Sequence, residues 1–184
     1  MKVLIVFIII GILLVLYAIT GYNSFIKMRN KIDEAFATMD VYLKKRWDLI
    51  PNLVNTVKGY AEHEKATLES VTSMRKQSYE AMSQEEKIAA NKELGAGLGR
   101  LIATAEAYPD LKADQQFLQL SRQLNDIEND IANSRKYYNA TVRELNTKVE
   151  SFPSNIIATI FHFGKRPMFE VASAAERENV KVEF

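Results

Sequence analysis

The segment Val3 to Ile19, VLIVFIIIGILLVLYAI, carries no charge and no strongly polar side chain. As a helix rising about 1.5 Å per residue it is roughly 25 Å long, and extension through Thr20 and Gly21 to Tyr22 brings it near the hydrocarbon thickness of a bilayer. Lys2 gives the basic start of a secretory signal. The apolar core is longer than the usual signal core, however, and its exit, YAITGYN, offers no small-x-small cleavage site. Residues 1–22 therefore read as a retained transmembrane anchor. The chain has no cysteine, which removes disulfides, a thiolate metal site and a lipid-anchoring cysteine. Lys27, Arg29 and Lys31 outnumber Lys2, a slight lean toward a cytoplasmic position for the residues beyond the anchor. A short basic start before an apolar run also introduces exported domains, so the side stays open.

The chain of 184 residues leaves room for one further domain, and a net charge of +1 from 24 basic and 23 acidic residues provides no field to gather nucleic acid. Its charges are interspersed on helical faces, as on solvated bundle surfaces. From Ile32 the apolar positions Phe36, Met39, Leu43, Trp47, Ile50, Val54, Val57, Ala61, Leu68, Val71 and Met74 keep helical spacing. The stripe passes Pro51 without changing phase, and no Gly, Ser or Asn cluster surrounds that proline. A kink at Pro51 within one long helix is expected rather than a turn, with Gly59 as a weak point.

The first clear boundary reads at Met82 to Glu86, where Ser83 and Glu86 form a capping-box pattern and a second helix runs to about Ala107. Its seam is Ile88, Leu94, Leu98, Leu101, Ile102 and Ala105; the interspersed GAGLG favours close approach of a neighbour. Tyr108 before Pro109 ends that helix, and Asp110 or Asp114 caps a third. The third carries Phe117, Leu120, Leu124, Ile127, Ile131, Ser134, Tyr138, Val142, Leu145 and Val149, and closes at SFPSN. A short helix within Ile156 to Phe163 completes the set. The expected fold is all-α: an N-terminal transmembrane helix, then an antiparallel bundle of three long helices plus one short helix over residues 23–165, and a tail over 166–184 whose last ten residues read as mobile.

His63 stands between Glu62 and Glu64, but neighbours on a helix point in different directions. The HExxH pattern fails at Thr67 and the ExxH pattern at Tyr60, so His63 reads as a surface residue. His162 is equally solitary. Lys44, Lys45 and Arg46 are too few and, at roughly 36 Å of helix beyond Tyr22, too remote for a polybasic lipid site, and read as a solvated face. No Gly-x-Ser-x-Gly elbow or phosphate-binding glycine loop is present.

The segments DVYLKKRWDLIPNLVNTVKGYAEHE, AYPDLKAD, IENDIANSRKYYNATVRELN and ESFPSNIIA, with Arg-x-x-Tyr-Asn at Arg135, Tyr138 and Asn139, closely resemble the LemA family from Tyr22 to about Phe163. The resemblance implies a bacterial inner-membrane protein with one N-terminal span and a bundle of long antiparallel helices; it brings no catalytic residue. Trp47 departs from the family's frequent histidine and Phe36 from its frequent tryptophan. Together these features point to a non-enzymatic, membrane-anchored scaffold or adaptor. Its partners are the bilayer, through the first helix, and an unidentified protein, through a surface of Lys44, Lys45, Arg46, Asp48 and His63. No cofactor, metal, nucleic acid or small-molecule substrate is called for. The alternatives are a metal-dependent or acid-base enzyme using Asp40, Glu128, Arg135 or His63 between helices, and a lipid-surface sensor.

Overall fold

A computed structural model describes residues 1–61, 64–73 and 77–169. His63, Met74 and the tail from residue 170 onward lie outside the described residues. Among those described the chain is all-α, as the periodicity requires: α1 (Lys2–Lys58), α2 (Lys65–Ser73), α3 (Gln84–Glu106), α4 (Pro109–Ala113), α5 (Gln115–Glu150) and α6 (Ser154–Ile160), with a single 3-10 turn at Tyr79–Ala81.

Helix α1 runs through Pro51 without reversing. Trp47, Ile50, Leu53 and Val57 are buried on both sides of the proline. Burial of four such side chains, about 2 kcal/mol each, outweighs the roughly 3 kcal/mol that an interior proline costs.

The chain instead leaves the helix at Gly59, well before the boundary expected at Met82. Tyr60 and Ala61 both donate to the Val57 carbonyl, closing the last turn. After α2 the chain is back beside the middle of α1, where Tyr79 meets Asp40 and Trp47. The apolar phase survives this break because Ala61, Leu68 and Val71 are buried like the stripe before them.

The described residues fall into two compact units, 39–133 and 1–38 with 134–169. In the first of these, Asp40 pairs with Lys87 and Arg46 with Asn91, so α3 runs parallel to α1. That direction differs from the antiparallel one expected, because α2 has already made the return. Arg46 to Glu128 and Tyr60 to Asp114 set α5 antiparallel to α1. The capping box is formed as expected: Glu86 N–H donates to Ser83 Oγ and Ser83 N–H to Glu86. Asp114 caps α5 by accepting from Phe117 N–H at 2.8 Å, and that donor, with the Tyr60 hydroxyl, holds its carboxyl below the usual range.

The GAGLG stretch does not serve close approach at Gly95 or Gly99. A Cβ at Gly95 would stand 3.8 Å from Arg46 Nη1, an ordinary contact, and one at Gly99 would meet open space. Gly99→Ala is therefore expected to stabilise α3 by about 1 kcal/mol, read as a higher urea midpoint with an unchanged slope.

In the unit made of residues 1–38 and 134–169, the side chains Val3 to Leu16 of α1 are exposed throughout. Packing begins further along. Lys148 donates to Ser24, Lys31 to Glu144 at 3.2 Å, and the rings of Phe36 and Tyr138 stand 6.0 Å apart, which sets α5 antiparallel to α1 here too. Helix α6 ends with His162 at φ 60°, in the left-handed region. His162 N–H donates to the Thr159 carbonyl and Phe163 N–H to the Ala158 carbonyl, the two bonds of a Schellman ending. That turn lays Phe163 on Phe25, ring centroids 4.8 Å apart.

Candidate functional site

Two clusters concentrate the polar chemistry of the chain. One gathers around the stretch of α1 that the sequence marks as a partner surface. Arg46 is 2% exposed, not on a solvated face as its two lysine neighbours imply. Its Nη1 donates to Glu128 Oε1 at 2.6 Å and its Nη2 to the Asn91 carbonyl at 2.8 Å, with Asn91 Oδ1 a further acceptor. Its guanidinium is committed to the interior.

Beside it, Asp40 accepts from the Tyr79 hydroxyl at 2.6 Å and from Lys87 Nζ at 2.8 Å. Burial and the Asp40 carboxylate push the Tyr79 phenol far above its ordinary pKa, so it stays a donor at any physiological pH. Lys87 Nζ also lies 4.7 Å from the Tyr79 ring centroid, and the Trp47 ring 5.5 Å from it. The arrangement locks the returning segment to α1. A carboxylate already holding two donors, and a phenol that does not ionise, do not make an acid-base pair.

The outer rim is solvent-facing. Lys44 bridges Asp48 at 2.6 Å and Glu80 at 3.4 Å, and the Asp48 hydrogen bond is the main reason its ammonium pKa is raised. Lys45 is exposed and lies 5.3 Å from the Tyr42 ring centroid. Pairs as exposed as these are screened by solvent and add little to stability. Lys44, Lys45 and Asp48 thus face solvent at least in part, whereas Arg46 does not.

The second cluster explains the Arg-x-x-Tyr-Asn motif. Asn139 Nδ2 donates to the Phe169 carbonyl at 2.9 Å while Phe169 N–H donates to Asn139 Oδ1 at 2.8 Å. One heptad later Asn146 repeats the pattern on Arg166, at 3.0 and 2.9 Å. The Tyr138 hydroxyl donates to the Pro167 carbonyl at 3.1 Å, and the Arg135 guanidinium lies 5.6 Å from the Phe169 ring centroid. Two asparagines thus act as a side-chain ladder for the extended segment after α6. Asn139→Ala removes both bonds to a part-buried peptide and is expected to cost about 2 kcal/mol in urea unfolding, with Asn139→Asp similar because it keeps only the acceptor.

Of the enzyme candidates, Asp40 and Glu128 lie in the first cluster, each with its own cation, and Arg135 lies in the second. His63 lies outside the described residues. Among the described residues no three His, Asp or Glu are grouped to share an ion. Sequence reasoning missed Tyr79, Lys87 and Asn91, which lie outside the first apolar stripe. It also missed Asn146, although the seven-residue step from Asn139 was there to be read.

Helices that pack one apolar seam, joined to a helix long and apolar enough to cross a membrane, define the class: a membrane-associated α-helical bundle protein. The chain belongs to the LemA family, whose family model matches residues 35–184. It is similar to protein LemA of Metamycoplasma hominis, 27% identical over 164 residues that cover 88% of this chain and 73% of the relative. It is also similar to the magnetosome protein MamQ of Magnetospirillum gryphiswaldense, 24% identical over 181 residues that cover 84% of this chain and 66% of that protein.

Proposed function

We infer that the chain is a non-enzymatic scaffold or adaptor, held on a bacterial cell membrane by one span at residues 1–22 and presenting its helical bundle to a protein partner. The observation that carries this reading is where the reactive side chains go. Asp40, Tyr79, Lys87, Arg46 and Glu128 bond to one another in the packing between helices and serve to fix the fold. What remains for recognition is the charged rim of Lys44, Lys45 and Asp48 on α1. The basic residues Lys27, Arg29 and Lys31 beyond the span favour the cytoplasmic side.

A photo-crosslinking amino acid at position 45, activated in intact membranes, tests the reading. A discrete adduct that disappears with the paired charge reversals Lys44→Glu and Asp48→Lys is the expected result. Adducts that are absent, or indifferent to those reversals, would remove this face as the docking surface.

A further inference from the structure

Beyond Tyr22, eight large hydrophobic side chains are exposed among the described residues, and four of them, Phe152, Ile156, Ile160 and Phe161, fall within one short stretch. The other four, Val41, Tyr60, Leu118 and Tyr137, are well separated along the chain. Ile156 and Ile160 are four residues apart on α6 and so share one face of it, and Phe152 is exposed in the turn just before that helix. The opposite side of α6 is satisfied, since Ile157 and Ala158 are buried. A short helix with one face packed and the other apolar and bare calls for an apolar medium on that face.

Its position says which medium. Ile157 Cδ1 occupies the space that a Cβ on Gly21 would need, so α6 lies directly against the last turn of the apolar run. Phe161 meets Tyr22 edge to face at 4.8 Å, and with Ala18, Ile19 and Asn23 these two line a shallow apolar groove. A span that enters at Val3 needs about 20 residues to cross the hydrocarbon and so leaves it near Tyr22, the depth at which α6 is packed. A tyrosine such as Tyr22, with an apolar ring and a polar tip, is favoured at this boundary. Just past it the polar side chains return: Lys148 bonds to Ser24 and Lys165 to Glu150.

We propose that α6 and the Phe152 turn form a second membrane contact, an interfacial foot whose exposed side chains Phe152, Ile156 and Ile160 lie in the headgroup and upper acyl region of the bilayer. The foot rests on the reading of residues 1–22 as a span. It gives the anchor a function that a lone helix lacks: two contacts with the membrane surface fix the tilt and rotation of the helices packed on α6, where a single span leaves them free.

The absence of cysteine makes the test direct, since single-cysteine variants carry one nitroxide label each. Full-length Phe152→Cys, Ile156→Cys and Ile160→Cys are labelled in phosphatidylglycerol/phosphatidylethanolamine vesicles, with Leu13→Cys as the control within the span and Val41→Cys as the control in water. Collision with oxygen, which concentrates in lipid, is compared with collision with a water-soluble nickel chelate. The expected result is an oxygen-to-nickel ratio at positions 152, 156 and 160 severalfold above that at 41 and below that at 13. Ratios equal to that at 41, with position 13 buried, would overturn the foot and leave the span standing. Labels at 156 and 160 shielded from both reagents would also overturn it, showing protein on this face; dipolar broadening in that case identifies a second copy. A water-like ratio at position 13 removes the span, and the foot with it.

Discussion

Tyr138→Ala is expected to destabilise the chain by about 4 kcal/mol, the cost of truncating a buried aromatic side chain. The ring is 1% exposed and stands 6.0 Å from Phe36 on one side and 6.0 Å from Phe169 on the other, both edge to face. Its hydroxyl holds the Pro167 carbonyl. The alanine variant loses the packing between α1 and α5 and one fixing point of the extended segment, and the asparagine ladder must hold that segment without its central ring. Tyr138→Phe keeps the ring and gives up one hydrogen bond, for about 1 kcal/mol. Urea unfolding of the full chain in detergent micelles, followed by circular dichroism, separates the two. Equal losses for Ala and Phe would show that the hydroxyl, not the ring, holds this region together.

Arg46→Ala is expected to cost about 3 kcal/mol, because a buried guanidinium and its stem leave together while Glu128 and the Asn91 carbonyl lose their partner. The guanidinium is almost fully enclosed, whereas Glu128 keeps 41% of its side chain in solvent and can rehydrate. That asymmetry makes the apolar isostere the informative variant. Arg46→Met fills the same volume and is expected to recover more than half of the loss. Trp47, the only tryptophan, neighbours the site, so its fluorescence reports the transition directly. A methionine variant as unstable as the alanine one would mean that charge, rather than packing, dominates at this position.

Much of this architecture is legible in the sequence because helix periodicity is local. The seam of α5 from Phe117 to Leu145, the capping box of Ser83 with Glu86, and the passage of α1 through Pro51 are all set by spacing within a few turns. Arg46 shows how composition misleads. It comes after two lysines and so reads as surface, yet it stands one heptad after Met39 and one before Leu53, both buried, which puts it on the seam. The reversal at Gly59 is hidden for a related reason. Two helices that turn the same apolar phase toward one core look like a single longer helix, and only the seven-residue gap from Ala61 to Leu68 marks the join. The hold of Asn139 and Asn146 on residues 166–169 has no local signature, since it pairs side chains with backbone roughly 20 to 30 residues away. The exposed row on α6 is in plain view as an apolar segment, but only its packing against Gly21 gives it a neighbour and a depth.

The central claim, that residues 1–22 are a retained membrane span, is tested most directly by the intact mass of the mature chain recovered from membranes. The expected result is a protein that stays in the membrane pellet through an alkaline wash and whose mass includes residues 1–21. A mature chain that begins near Tyr22 and is released by the wash would contradict it.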